Sequence, residues 1–418
     1  MKKLQIAVFG SDSDHCSEKA KKIAKEVGKE IARAGAILLT GGGEGVMKSA
    51  SEGAHKENGI VIGILPGADK RDANAYCNII IPTEIGFARG QVLANAADAA
   101  IVIEGGFGTR NEVGETYWRL IPTIAIPSSG GTAAEVANTY LDKRRIMKVG
   151  SQESAQEAVK EAVRLARNRL GLQERLSAVG QDLSIYRTTP QKYIRINPRN
   201  PIEIRALERK LQEEYRIEIF FEETGIPHVY RSSCENIGGL IGDRRNNLLQ
   251  HYIIQDLASI VAMQALEIEK GNSYLELGAA PEHWQGKQYD RVVISAPCSC
   301  EGMIVKYDKE LQRDVGGINK VLEFSQENIE KLQEEQRKLL QNGFKHLRRK
   351  GKLLYVTCTL NRNENEDVIA AFLEDNSTAR IDLPRIDNED VHMQVSDKGI
   401  RVIPRKTKGL YFTRIIKE

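Results

Sequence analysis

Five short apolar runs punctuate the first 150 residues: LQIAVFG (4–10), AGAILLT (34–40), GIVIGILP (59–66), DAAIVIE (98–104) and IPTIAIP (121–127). Between them lie amphipathic stretches such as EKAKKIAKEVGKEIARAG (18–35). Runs of this length with no polar alternation suit strands buried on both faces. Strand, crossover helix and strand in that rhythm call for a mostly parallel sheet covered by helices on both sides. Residues 151–184 then change character, being charged, alanine-rich and poor in β-branching, and read as a helical linker, part of it a closing helix of the first domain and the rest a linker or opening helix of the second.

The remainder reads as a different α/β unit. A small section, QKYIRINPRNPIEIRALERKLQEEYRIEIFFEE (191–223), precedes a helical stretch, YIIQDLASIVAMQALEI (252–268). Strand candidates NSYLELGAAP (272–281), YDRVVISAPCS (289–299) and GKLLYVTCTLN (351–361) follow, with a long charged helix over 320–348 and another over 364–375. The segment 398–418 suggests two short strands and a turn. With 418 residues, 41% hydrophobic and 28% charged, the chain has material for two or three cores, which excludes disorder and collagen-like repeats. Six cysteines, two of them in PCSC, point to a reducing compartment rather than a disulfide scaffold. A net charge of +3 permits nucleic acid as a partner without arguing for it. No run of 18 apolar residues occurs, so a cytoplasmic location and no membrane association are expected.

Two glycine clusters follow strand candidates, TGGGEGVMKSA (40–50) and EGGFGTRNEVGE (104–115). Glycine admits positive φ and lets backbone N–H groups face an anion at a helix N-terminus. Gly41, Gly42, Gly43, Gly45, Gly105, Gly106, Gly108 and Thr109 are therefore candidate phosphate- or nucleotide-binding residues, against the alternative that the glycines only make tight turns. The first cluster lacks the Lys-Ser/Thr ending of a triphosphate P-loop.

With these motifs, residues 4–142 resemble the broad family of cytokinin riboside phosphate hydrolases, lysine-decarboxylase-like proteins and molybdenum-cofactor carriers, and most closely its carrier-like branch. GGGEGVM (41–47), GAHKENGIVIGILP (53–66) and GFARGQVLANAADAAIVIEGGFGTRNEVGE (86–115) carry the likeness. The hydrolase branch has a PGGxGTxxE motif; Gly105, Gly106, Gly108, Thr109 and Glu112 match it, Arg89 stands where its upstream arginine would be, and Glu104 replaces the proline. The resemblance implies a nucleotide or molybdopterin-like, phosphate-bearing ligand. In its hydrolase form, Arg89 and Glu112 would act at the N-glycosidic bond of a nucleoside monophosphate. It also leaves room for a homo-oligomer through residues 1–150.

Residues 185–418 resemble RNA cytosine-C5 methyltransferases of the large rRNA/tRNA group. The carrying motifs are YIRINP (193–198), with Arg195 and Asn197; YLELGAAP (274–281); YDRVVISAPCSCEG (289–302); KLLYVTCTLNRNENED (352–367); and IPRKTKGLYFTRIIK (403–417). The resemblance implies that Cys358 is the nucleophile at cytosine C6, that Cys298 assists release, and that Glu366 holds the neighbouring loop. Ala280 and Pro281 would contact S-adenosylmethionine. Three cysteines without a histidine at ligand spacing give no reason to expect a metal. The departures are large. ELGAAPEHWQ (276–285) stands for DLCAAPGGKT, and Ser295 stands for the aspartate of DAPC. Only HWQGKQ (283–288) separates the glycine motif from the next strand, where the family has roughly 50–60 residues and a single βαβ crossover needs about 30. That shortening puts S-adenosylmethionine binding in question.

The fold expected is therefore α/β, with two Rossmann-like parallel-sheet domains, the second a shortened class I methyltransferase fold. The division expected is a nucleotide- or cofactor-binding domain over 1–150, a linker over 151–184, an RNA-binding-like segment over 185–270 and a degenerate catalytic domain over 271–418. Basic stretches at 231–247, 347–352 and 404–409 could contact phosphates. The function expected is RNA or ribosomal ribonucleoprotein binding without methylation. The alternatives are a working S-adenosylmethionine-dependent cytosine-C5 methyltransferase and phosphoribohydrolase activity in the first domain.

Overall fold

The computed structural model describes residues 2–188, 190–215, 218–233, 251–277, 287–303, 307–308, 313–314, 317–405 and 407–418. It divides into two compact units, Met1–Glu174 and Arg175–Glu418.

In the first unit, strands β1 (Gln5–Gly10), β2 (Ile37–Thr40), β3 (Val61–Leu65), β4 (Ile79–Pro82), β5 (Ala99–Ile103), β6 (Thr123–Ile126) and β7 (Gly150–Ser151) form one parallel sheet in the order β4-β3-β2-β1-β5-β6-β7. The order reverses at β1, which pairs with both β2 and β5, so the loops after β1 and β5 diverge and leave a crevice at their carboxyl ends. The five apolar runs all became strands. The edge strands β4 and β7 escaped the sequence reading because one is an isolated IIIP and the other is two residues long.

Helices α1 (Glu18–Arg33), α2 (Val46–Lys56), α3 (Arg89–Ala96), α4 (Phe107–Trp118), α5 (Gly131–Val136) and α6 (Ala155–Ser177) cover the sheet. Ser17 caps α1, its side chain accepting from Ala20 N, and Ala20, Ala24, Val27 and Ile31 make the buried stripe. α1 and α2 touch backbone to backbone. A Cβ on Gly28 would fall 1.9 Å from the Ala50 carbonyl oxygen, and one on Gly53 1.9 Å from that of Lys25. Residues 151–184, expected as a helical linker of which part closes the first domain, contain α6, whose Ala158, Val159, Ala162, Val163 and Ala166 pack into the core of the first unit.

The second unit begins with a small antiparallel sheet of β8 (Lys192–Ile196), β9 (Phe221–Glu223), β10 (Val229–Ser232) and β11 (Tyr252–Ile254), in the order β11-β8-β10-β9. Helix α7 (Ile204–Tyr215) packs Leu207 and Leu211 against Ile194, Ile196, Phe221 and Tyr252. The stretch 252–268 corrects the sequence reading: Tyr252–Ile254 pair with β8 as a strand, and only Leu257–Gln264 (α8) is helical. Asp256 makes the break, its carboxylate accepting from Ala258 N as the cap of α8.

The main sheet contains β12 (Tyr274–Leu277), β13 (Tyr289–Ser295), β16 (Leu347–Thr357), β17 (Ala379–Ile381), β18 (Met393–Val395), β19 (Ile400–Val402) and β20 (Leu410–Lys417); β14 (Tyr307–Asp308) and β15 (Arg313–Asp314) pair only with each other. Its order is β12-β13-β16-β20-β19-β18, with β17 also on β20. It is parallel over the first three strands and antiparallel beyond. Side chains alternate across it. Val292, Ile294, Leu353 and Tyr355 face α10 (Gln326–Lys345) and α11 (Glu366–Asp375), while Val293, Leu354 and Phe412 face α8; the short α9 (Gly317–Val321) precedes α10. No helix among the described residues is long and apolar enough to cross a membrane.

Candidate functional site

The first unit holds a cleft of about 920 Å³ beside the crevice at β1 and β5. Ser11, Asp12 and Met47 line it together with the glycine turn Gly105–Gly108 and the start of α4. α4 has no side-chain cap, so its first N–H groups, on Phe107, Gly108 and Thr109 in the cleft lining, lack intrahelical partners. Gly105 sits at φ 93° and donates its N–H to Ser11 Oγ at 3.0 Å. A Cβ there would lie 2.4 Å from Thr109 Oγ1, so only glycine lets the turn close on that buried threonine.

Arg89 and Glu112 meet in this cleft, with Nη1 3.0 Å from Oε1 and both side chains largely shielded. Burial pushes the Glu112 carboxyl up, against the pull of the Arg89 guanidinium. The other glycines lie elsewhere. A Cβ on Gly41 would run into the Arg89 guanidinium at 2.5 Å; Gly42 (φ 75°) abuts Leu65 and Gly63; Gly45 (φ 65°) abuts the Ser11–Asp12 backbone. Asn74 Nδ2 donates to the carbonyls of Gly42 and Gly43, both at 3.0 Å. Gly41 thus leaves room for Arg89 and Gly45 for the Ser11–Asp12 backbone, and none of the four is among the residues that line the cleft. Glu104, at φ 51°, accepts from Ser17 N at 3.1 Å, which spends its charge on the N-terminus of α1.

In the second unit, β13 and β16 run parallel with Ser295 beside Val356, so the loops that follow emerge side by side. This brings Cys298 Sγ to 3.2 Å from Cys358 Sγ. A third sulfur joins them: the Cys358 thiol donates to Cys300 Sγ at 3.5 Å, and the Cys300 thiol to the Cys298 carbonyl at 3.3 Å. Bonds from the Cys298 and Cys358 thiols lower Cys300 to about 3, with Lys320 helping. The Cys300 sulfur, then Cys358 and burial, raise Cys298 well above the thiol range. Cys358 is also raised: the bond with Cys298 that lowers it is outweighed by the Cys300 sulfur and burial.

The two loops are tied together by Glu364. Its Oε1 accepts from Ser299 N at 2.9 Å and Gln336 Nε2 at 3.1 Å; its Oε2 accepts from Asn361 Nδ2 at 3.1 Å and from the Ser299 hydroxyl. Ser299 Oγ also pairs with Thr359 Oγ1 at 2.9 Å. Burial raises the Glu364 carboxyl, and these donors counter it. Glu366 points away and forms a buried ion pair with Arg401 of β19. The closing turn contributes too: Gly302 N donates to Cys358 O and Gly409 N to Gly302 O, both at 2.8 Å. A Cβ on Gly302 would meet the Gly409 carbonyl at 2.3 Å.

Ala280, Pro281 and most of the basic stretch 231–247 lie outside the described residues. Of the other basic stretches, Arg348 pairs with Asp290 and Lys352 with Glu267. Sequence reasoning weighed Cys300 only as a third sulfur for a metal, which it set aside, and it missed Glu364. The NENE run (363–366) held the signal for Glu364, but the reading settled on Glu366.

An uncapped helix over glycine turns at a parallel-sheet switch point, and a mixed sheet presenting cysteines from neighbouring strand ends, define a nucleotide-fold domain and a methyltransferase-type domain in one chain. A model of the SLOG cluster4 family matches residues 3–119, and one described as 16S rRNA methyltransferase RsmB/F matches residues 261–416. The first unit has a SLOG/molybdenum-cofactor-carrier-like fold, and the second carries an RsmB/F-type RNA methyltransferase family domain. An uncharacterized protein of Archaeoglobus fulgidus is 40% identical over 114 residues, 27% of this chain and 73% of that protein. Ribosomal RNA small subunit methyltransferase B of Shewanella oneidensis is 32% identical over 136 residues, 32% of this chain; the chain spans only 28% of that relative's length. The molybdenum cofactor binding protein of Rippkaea orientalis is 29% identical over 39% of this chain and 99% of its own, with a TM-score of 0.33.

Proposed function

We propose that this chain joins a nucleotide- or cofactor-binding domain to an RsmB/F-type module that holds RNA or a ribonucleoprotein without methylating it. One observation carries the second half of the reading. β12 and β13 are directly paired parallel neighbours, and the whole connection between them is residues 278–288. No strand stands between them, and a chain so short has no room for a helix and a further strand, which a methyl donor would need for its positioning. The engagement of Cys358 with two other sulfurs argues the same way, since an attacking thiolate must be free to approach its substrate. The family supports RNA as the partner.

The test is calorimetric titration of the full chain with S-adenosylmethionine, followed by nucleoside monophosphates. Absence of donor binding with saturable nucleotide binding is expected. Micromolar binding of the donor would overturn the reading and make Cys358 a live nucleophile.

The geometry of the first cleft favours one second reading, phosphoribohydrolysis. Arg89 sits where it can hold phosphate or ribose oxygens, and the Glu112 carboxylate beside it can steady a developing oxocarbenium ion or activate water. Release of free base from a nucleoside monophosphate, abolished in E112A, would establish it; no release from any of the four common monophosphates would remove it.

A further inference from the structure

The three sulfurs of the second unit form an arrangement that neither family reading requires. Cys298, Cys300 and Cys358 all place Sγ within 4.8 Å of one another, with two of the separations at 3.2 and 3.5 Å. Three thiolates each at about 2.3 Å from one ion, at tetrahedral or trigonal angles, would stand about 3.8–4.0 Å apart. The two short separations therefore need to open by about 0.3–0.8 Å to enclose an ion of that size.

The backbone at Cys300 is a second, independent observation. Its φ is 59°, the left-handed region that a side chain with a Cβ enters only at a cost. Glycine would serve this turn better, yet a cysteine occupies it, and the unfavourable conformation is what folds its sulfur back onto the other two. The loops are also held in advance of any ligand. Glu364 fixes Ser299 and Asn361, and the Gly302 N–H fixes the Cys358 carbonyl, so the donors stand on a braced frame. Cys300 and Cys358 are half-buried, which leaves a way in from solvent, while Cys298 closes the floor.

We propose that Cys298, Cys300 and Cys358 form a three-thiolate site for a thiophilic d10 cation, either Cu(I) in trigonal coordination or Zn(II) with water in the fourth position. Soft sulfur donors select such ions over magnesium, calcium or manganese. Binding exchanges the thiol protons for the ion, so uptake releases protons to solvent. The inference concerns the sulfurs alone and stands whether or not the module methylates RNA; an ion seated there would keep Cys358 from acting as a nucleophile.

The test uses the full chain, reduced, stripped with chelator and kept anaerobic. It is titrated with Cu(I) against a chromophoric Cu(I) chelator and, in a separate arm, with Zn(II) against a chromophoric Zn(II) chelator. Uptake of one ion per chain is expected in at least one arm, and X-ray absorption should find three sulfur neighbours at about 2.3 Å. C300G relieves the left-handed strain, so it keeps the fold while removing a ligand, and should lower the affinity at least tenfold; C298S should do the same. Replacing Cys16, Cys77 and Cys234 together should leave affinity unchanged. Failure of both ions to bind, or equal affinity in wild type and C300G, would overturn the proposal, as would affinity that follows Cys16, Cys77 and Cys234.

Discussion

Removing the Glu364 carboxylate should unlock both cysteine loops, and its hydrogen bonds allow the cost to be worked out. In E364A, the buried Ser299 N–H and the Asn361 side-chain amide lose the acceptor they point at. Gln336 Nε2 keeps the Pro297 carbonyl at 2.8 Å, and the Ser299 hydroxyl keeps Thr359. Two buried donors are thus orphaned at about 1–3 kcal/mol each, giving a loss of about 4 kcal/mol. For a unit of this size, about 2–4 °C is lost per kcal/mol, so its melting transition should fall by roughly 8–16 °C. E364Q should cost about half as much. Its carbonyl can still accept from Ser299 N and Gln336, and its amide can donate to Ser299 Oγ, so only Asn361 faces a second donor. Calorimetry, with hydrogen exchange of the β13 and β16 peptides to locate the change, reads both variants. An E364A transition within 2 °C of wild type, or an E364Q variant as unstable as E364A, would refute the reasoning.

G28A should destabilise the first unit by about 3 kcal/mol or more, because the new methyl meets a helix backbone that cannot give way; exchange protection of the β1 and β2 peptides reports it. R401A should cost the second unit about 3–5 kcal/mol by stranding the buried Glu366 carboxylate, and the R401M/E366M pair should cost less than R401A, both read from urea midpoints. Bonds from Lys352 and then Arg414 hold the Glu267 carboxyl at about 2. Its folded value lies below the unfolded one of about 4.3, so its stabilisation is present above pH 4.3 and fades as pH falls toward 2. E267Q should therefore melt slightly below wild type at pH 6, by under about 1 kcal/mol because half the side chain is exposed, and the two should converge near pH 2.

The parallel sheet was legible because a strand buried on both faces must be apolar along its whole length, as β1, β2, β3, β5 and β6 are. β4 and β7 were not, since an edge strand needs only a few paired groups and leaves little compositional trace. The strand β11 hid inside a longer apolar stretch, and only the capping role of Asp256 separates it from α8. In the site, the meeting of Cys298 with Cys358 follows from parallel neighbours whose ends align, which a strand reading can anticipate. Cys300 could not be anticipated that way. Its position depends on one residue adopting a left-handed turn, and nothing in the spacing CSC announces that. Glu364 was likewise obscured: four donors from three segments converge on it, and convergence of that kind has no period along the chain.

The placement of Leu410–Lys417 between β16 and β19 bears on how the molecule is made. A ribosome lays down this strand after every other described strand of its sheet, yet it fills the middle. Until it arrives, β16 offers a long unpaired edge to whatever passes, and the turn at Gly409 that braces Gly302 is absent. The cysteine cluster can therefore reach its final form only once synthesis of this unit is nearly over. Partial chains would expose loose thiols and a sticky strand together, a combination that folding helpers can grip and that crowding would punish.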